Sequence, residues 1–427
     1  MSVRRSVRGS RGPRAAGAAV AALALLAAGC GGGDGDPDGG TVTIRYSWWG
    51  AQDRAELIRK TIALFEKDHP HIEVKTDFAE YADFWSKFNT QAAGGNAPDV
   101  FQNSVAFLRK YGEKNLLLDL NAQVKAGKLG MDDFRAGLDK AGEVDGRLLG
   151  VPVGGNTFAL VYNPEAFERV GVTPAAGWTW DEFDTAVHKI SAAEGDLYGA
   201  SDNGGVMYLY DLYLRQNGKA FFTADKKLGF TEGDLRQWWG DHYAGNKAGD
   251  LVPAKKSEQI KPKSSVSGDL SAAEFTWDNF IVRYAAETDT ELALAPVPTT
   301  DGTRTGQYIS SLMLSGSART KHPEEVAEFI DFMVHDPEVG KIMGYNRGVL
   351  PTNAQFDAYE PTGVDAQIAA YEKSVTGVIE PITPHPAGAD VAEAAFLRIY
   401  GEVALGKTSV DDAVTQFFSE AKTALGS

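Results

Sequence analysis

The 427-residue sequence predicts an α/β chain large enough for two lobes, and three observations lead there. Apolar periodicities of 2 and 3.6 residues alternate along the chain, the order that sets strands against helices. Once an export segment is set aside, about 400 residues remain, enough for two lobes of ordinary size. The only cysteine, Cys30, lies next to that segment, so no disulfide within the chain can substitute for apolar cores.

The elements follow in order. Residues 1–14 hold Arg4, Arg5, Arg8, Arg11 and Arg14 and no acid, and Ala15 to Ala28 form a short apolar run ending at "GC". This is the layout of an export signal, too short to remain as a spanning helix. "LAAGC" resembles the lipobox of bacterial lipoproteins, with Ala27 where Leu is commoner. That resemblance implies cleavage after residue 29, lipidation of Cys30 and a place on the outer face of the cytoplasmic membrane. "RRSVR" matches a twin-arginine signal only weakly, so both export routes stay open. Residues 30–40 read as a flexible tether. Within it Asp34, Asp36, Asp38 and Gly39 have the spacing that opens a calcium loop, but the twelfth position is Arg45 where a bidentate Glu is required. Taking the five leader arginines from the net charge of −16 leaves −21. No basic cluster remains to follow a phosphate backbone, which argues against nucleic acid.

"TVTIRYSW" alternates as a strand. "DRAELIRKTIALFEKDHP" then sets Ile58, Ile62 and Phe65 on one helical face, with Asp53 and Glu56 as a capping box and Pro70 as the stop. "HIEVKTDF" is a second strand, "YADFWSKFNTQAAGG" a helix ending in glycines, and "APDVFQN" a short buried strand. A helix from about Ala106 and the run "GRLLGVPVGGNTFALVYNPEAF" continue a βαβα order with parallel strands. In such sheets ligands sit beyond the carboxyl ends of the strands, where Trp49, Asn103 and Trp277 stand.

The succession "FEKDHPHIEVK", "AGGNAPDVFQ", "GRLLGVPVGGNTFALVYNPEAF", "GWTWDEF", "PEEVAEFIDFMVHDPEVGKIMGYNRGVLPTN" and a final helix pair resembles the extracellular solute-binding proteins of carbohydrate ABC transporters, the maltodextrin-binding group. The similarity covers residues 41–425. It implies a two-lobed, type II periplasmic-binding-protein-like fold with a hinge and an interlobe cleft. Crossings are expected near Val151–Thr157, Ala295–Thr303 and Pro337–Arg347. One lobe would comprise 41–150 with about 304–340, the other 151–303 with about 341–427. The resemblance further implies a monomeric receptor that passes a sugar, more readily an oligosaccharide than a monosaccharide, to a membrane permease driven by a separate ATPase, with no cofactor.

A pyranose offers C–H faces to aromatic rings and hydroxyl edges to Asp, Asn, Gln and Arg, which explains why a tryptophan pair at a strand end is of interest. Neighbouring strand residues face opposite ways, so one of Trp48 and Trp49 enters the core and the other is free for a ligand. Trp49 is the expected ligand residue. Positions matched to the family add Glu80, Tyr81 and Trp85, the last with helix core as its alternative role, and Asn103, with an Asn turn as alternative. Asn156 lies at the first crossing. Trp277 ends a strand, and Asp278 and Asn279 can cap the next helix. Asp202, Tyr208 and Arg347 are weaker candidates. Trp178 and Trp180 are structural, because Thr179 and Glu182 form a capping box between and beyond them.

Two motifs mislead. "GEVALGKT", Gly401 to Thr408, matches a P-loop, yet only 19 residues follow it. Val391, Ala395, Leu397 and Ile399 before it suggest a helix, and Ser409 with Asp412 caps the next one, so it reads as a helix–turn–helix. The seven histidines lack ligand spacing, which argues against metal. The rival functions are a secreted glycoside hydrolase, which needs two carboxyls roughly 5–9.5 Å apart, and a surface lipoprotein whose cleft binds nothing.

Overall fold

The computed structural model describes residues 40–50, 52–135, 138–193, 195–223, 225–380 and 385–426. The export signal, Cys30 and the calcium-like aspartates lie outside them.

Strand β1 (Val42–Trp49) alternates as its sequence requires: Ile44, Tyr46 and Trp48 are fully buried on one face. Gly50 follows at φ +150, a backbone conformation that side chains rarely adopt, and turns the chain into α1 (Gln52–Asp68). Ile58, Ile62 and Phe65 of α1 are buried as expected. The capping box is not formed as read: α1 already begins at Gln52, which puts Asp53 inside the helix. Next come β2 (Ile72–Ala79), α2 (Tyr81–Ala93), β3 (Val100–Ser104) and α3 (Val105–Glu113). The long strand β4 (Val151–Tyr162) is buried along its whole length.

The next part of the chain supplies α4 (Trp180–Ala193), α5 (Met207–Gln216), α6 (Glu232–Ala248), β5 (Ala273–Trp277), α7 (Phe280–Glu287) and β6 (Ala293–Ala295). It returns through β7 (Ile309–Gly316), α8 (Pro323–His335) and α9 (Pro337–Met343). It finishes with α10 (Gly363–Val375), α11 (Ala389–Ala404) and α12 (Val410–Leu425).

One sheet runs in the order β2, β1, β3, β7, β4, β6, with β5 also paired to β4. The parallel reading holds for β1 against β2 and β3 only. β7 is antiparallel to both β3 and β4, and β5 and β6 are antiparallel to β4, so the sheet is mixed. The reason is connectivity: β7 re-enters the first lobe from the second and so runs against its neighbours.

Two lobes share β4. Its residues 151–157 pair with β7 in the first lobe, and 158–162 pair with β5 and β6 in the second. A crossing strand hydrogen-bonded at both ends is a stiff axis. Of the expected third crossing, residues 337–343 form α9, packed on α1 and α8. The segment beyond it lies between the lobes, with Val349 bridged to Gly155 and Tyr345, Val349 and Leu350 packed among second-lobe side chains. The first lobe's core unites Ile44, Tyr46, Trp48, Phe65 and Phe329. On the other side of the sheet, a second cluster extends from Trp49, Phe84, Trp85 and Tyr111 to Phe275, Phe396 and Phe417 of the second lobe.

At the chain's end, Gly401 lies within α11 and Lys407 in the turn before α12, whose cap Ser409 accepts from the Asp412 amide. The P-loop match is therefore a helix–turn–helix. Of the apolar face read for α11, Ala395 and Ile399 are buried, but Val391 and Leu397 are 52% and 62% exposed. The buried stripe is Ala392, Ala395, Phe396, Ile399, Tyr400 and Val403. Leu397 stands about 200° around the helix from Ala395, on the opposite side.

Candidate functional site

The site is built where strand ends meet helix starts. Trp49 closes β1 and points away from the core face that holds Trp48. Its ring meets Tyr81, Phe84 and Trp85 of α2 at 5.4, 5.3 and 5.4 Å. Trp85 stacks further on Phe107 of α3 at 4.0 Å. Trp48 instead lies flat on Phe78 at 5.6 Å. Tyr81 is the solvent end of this first wall, 51% exposed. Glu80 beside it is exposed and holds the N-cap position of α2 without a side-chain cap bond.

The second wall comes from the other lobe. Trp277, at the end of β5, meets Phe158 of β4 at 5.0 Å, Tyr208 of α5 at 5.2 Å and Tyr308 at 6.2 Å. Tyr208 donates to Glu393 of α11 at 3.5 Å. Glu393 links the walls: its charge bears on tyrosines of both, on Tyr208, which burial first raises well above the usual range, and on the exposed Tyr81. Burial, opposed by the Tyr208 bond, pushes Glu393 up to about 7. One helical turn earlier, Asp390 forms an ion pair across the cleft with Lys110 of α3. The cleft therefore presents two aromatic walls, a half-buried carboxyl and an already paired lysine.

Other predicted residues are held in internal networks. Asn103 is buried, donating to Ser315 Oγ at 3.0 Å and accepting from the Ser104 amide at 2.8 Å. Asn156 donates to the Arg347 carbonyl at 3.3 Å. Asp202 accepts from Tyr400 at 2.7 Å and from Asn246 at 2.9 Å, which fastens α5's approach to α6 and α11.

Asp278 and Asn279 do not cap α7 with their side chains. Asp278 is sealed at the hinge, where Oδ1 accepts from the Thr157 and Asn279 amides at 3.3 and 2.8 Å. Burial and the adjacent Glu372 carboxyl raise it well above the usual carboxylate range, while Glu372 itself accepts from Thr157 Oγ1 at 2.5 Å. Two carboxyls so close together in a buried site oppose a second charge there. Arg347 is buried, with its carbonyl against Asn156 of β4.

Phe158, Tyr308 and Glu393 join the site without having been foreseen. Phe158 and Tyr308 sit in strand-like runs that look like core. Glu393 is one acid among many on a helix. Among the described residues no group of three or more His, Cys, Asp or Glu could hold a metal, and no helix is long and apolar enough to cross a membrane. A concavity of about 510 Å³ opens elsewhere on the second lobe, between Asn163, Asp269 and Thr290, and shares no residue with the two walls.

Comparison with known proteins adds three likenesses to the family match. The model of the bacterial extracellular solute-binding proteins matches residues 51–338. An uncharacterised lipoprotein encoded 5′ of oleD in Streptomyces antibioticus is 26% identical over 348 residues, 77% of this chain and 74% of that protein. A family 1 extracellular solute-binding protein from Alicyclobacillus acidocaldarius shares the fold with a TM-score of 0.70 at 26% identity, covering 91% of this chain and 99% of the other. An ABC substrate-binding protein from Listeria monocytogenes, solved in complex with cycloalternan, shares it with a TM-score of 0.80 at 19% identity, covering 90% and 99%.

Proposed function

The chain belongs to the bacterial extracellular solute-binding proteins, and from that premise we propose that it captures an oligosaccharide between its lobes and hands it to the permease of an ABC importer. Membership makes it a binding protein rather than a hydrolase. The observation that carries the sugar is the pair of aromatic walls, Trp49, Tyr81 and Trp85 facing Tyr208 and Trp277, with Glu393 between them. Rings cover the C–H faces of pyranoses, and a carboxyl near neutrality in its titration both accepts from and donates to hydroxyls. The cycloalternan held by the Listeria protein agrees with this ligand class. The resemblance of "LAAGC" to a lipobox, and the lipoprotein among the relatives, support anchoring through Cys30 on the outer face of the cytoplasmic membrane. On this reading the lobes divide within β4 and in the 296–308 connection. The final passage to the second lobe then falls beyond Ala358, since helix Asn353–Ala358 packs on α8 and α9.

A thermal-shift screen over a glycan panel, followed by calorimetry on any ligand found, tests the proposal. We expect one sugar bound per chain and no release of reducing ends. Trp277 is only half-buried, so loss of its ring removes about 60–100 Å² of apolar contact, or roughly 1.5–2.5 kcal/mol, and Trp277→Ala should weaken binding about ten- to sixtyfold. Trp49 is buried against Phe84 and Trp85, so Trp49→Ala should lose stability more than affinity. Trp48→Ala should cost about 3–5 kcal/mol of stability and leave the affinity of the folded protein intact. A panel without a single stabilising glycan would reject the sugar reading.

A further inference from the structure

A guanidinium buried beside the hinge strand has no counter-charge among the described residues, and we propose that it holds a small monovalent anion of the size of chloride. Arg347 is 3% exposed, and its Nε and Nη1 make no hydrogen bond. The Tyr46 hydroxyl, fully buried on β1, stands beside it, and among the described residues Arg347 is the one side chain placed to bond it. No carboxylate among the described residues forms an ion pair with Arg347, and Tyr46 is the only group that offsets its burial. Arg54, in the first turn of α1, brings a second positive charge to bear on Tyr46 while bonding Asn346 through Nε at 2.8 Å and Nη2 at 2.9 Å.

These observations define what is missing. A guanidinium does not lose its proton in a protein, so it cannot escape the cost of burial by becoming neutral. Buried water could meet its hydrogen-bond donors, yet would leave a whole charge without compensation in a low-dielectric interior. Arg347 Nε and Nη1 and the Tyr46 hydroxyl are all able to donate, which suits an anion and opposes a cation. One buried positive side chain calls for a single negative charge, and a divalent or large anion would lose too much hydration on entry. The ion would fasten β1 to the segment Asn346–Val349, which is bridged to β4 at Gly155. It therefore lies under the hinge, separate from the sugar walls, and does not depend on the sugar reading.

The test compares melts of the mature protein in sodium chloride and sodium gluconate at equal ionic strength, gluconate being too large to enter. The wild type should melt higher in chloride, with a saturable rise on the order of a few degrees. Arg347→Met should melt at the same temperature in both salts, and in gluconate no lower than the wild type. Bromide soaked into crystals gives an independent reading and should produce an anomalous peak against Arg347 Nε. Equal wild-type melts in the two salts, or a bromide experiment that leaves only water at Arg347, overturns the proposal. If Arg347→Met does not fold, the wild-type salt series and the bromide map decide.

Discussion

Glu393 is the residue whose chemistry is most altered by its position. Its carboxyl is raised to about 7 first by burial, against the bond from Tyr208. An unfolded chain releases this proton near 4.5, so between about 4.5 and 7 the folded state binds more protons than the unfolded one. Stability from this group is therefore complete below about 4.5 and is lost as pH rises through about 7. Glu393→Gln should flatten that decline: relative to wild type, its urea midpoint should be higher at pH 8 than the same comparison gives at pH 4.5. Equal differences at the two pH values would show that Glu393 is solvated like a surface acid. The contrast between Trp48 and Trp49 belongs to this scale as well. Two identical side chains, adjacent in sequence, end in different surroundings because a strand turns successive residues to opposite faces. That alternation was legible in "TIRYSWW". The value of Glu393 was not, because it depends on burial among distant residues, its bonding partner Tyr208 being 185 residues away in sequence.

Among the elements, β4 is the one on which the architecture turns. Its glycine pair, Gly154 and Gly155, permits another backbone to lie directly on the strand. A Cβ at Gly154 would come within 2.4 Å of the Arg347 carbonyl oxygen, a backbone atom with little freedom to retreat. Gly154→Ala should therefore destabilise by about 1–3 kcal/mol through overpacking. Gly240, inside α6 with open space around its Cβ position, provides the opposite expectation: Gly240→Ala should stabilise by about 0.5–1 kcal/mol through helix propensity. Chemical denaturation of both variants checks the pair of signs. Helices with strong local signals were read correctly from the sequence, as with Thr179 and Glu182, whose reciprocal bonds of 2.7 and 3.3 Å open α4. Asp53 lies inside α1 rather than at its start, and α7 has no side-chain cap, since a capping motif requires a helix to start at that residue, and neighbouring structure settles where it starts.

At the scale of the whole molecule, distant segments of the chain meet at β4. Thr157, Asp278 and Glu372 come from three distant segments and are bound together there. Attachment to the membrane belongs to the same scale. If Cys30 carries the lipid, each buried methylene contributes about 0.8 kcal/mol, and more than one acyl chain makes anchoring stable. Cys30→Ala should then appear in the medium, or persist as unprocessed precursor. A processed, mature-sized variant that still sediments with membranes would remove the lipid anchor from the proposal.

Sequence by itself determined the alternation of strands and helices, the opposite faces of Trp48 and Trp49, and the helix–turn–helix disguised as a P-loop. Each of these depends on residues within a few positions of one another, where period, capping and turn chemistry act. Only the tertiary structure decided that the sheet is mixed, that Asn103 and Asp202 are held in internal hydrogen bonds, that Glu393 stands between two aromatic walls, and that Arg347 is buried without a counter-charge. Those outcomes depend on which distant groups meet and how much water they exclude, and desolvation and pairing are set by three-dimensional neighbours rather than by neighbours along the chain.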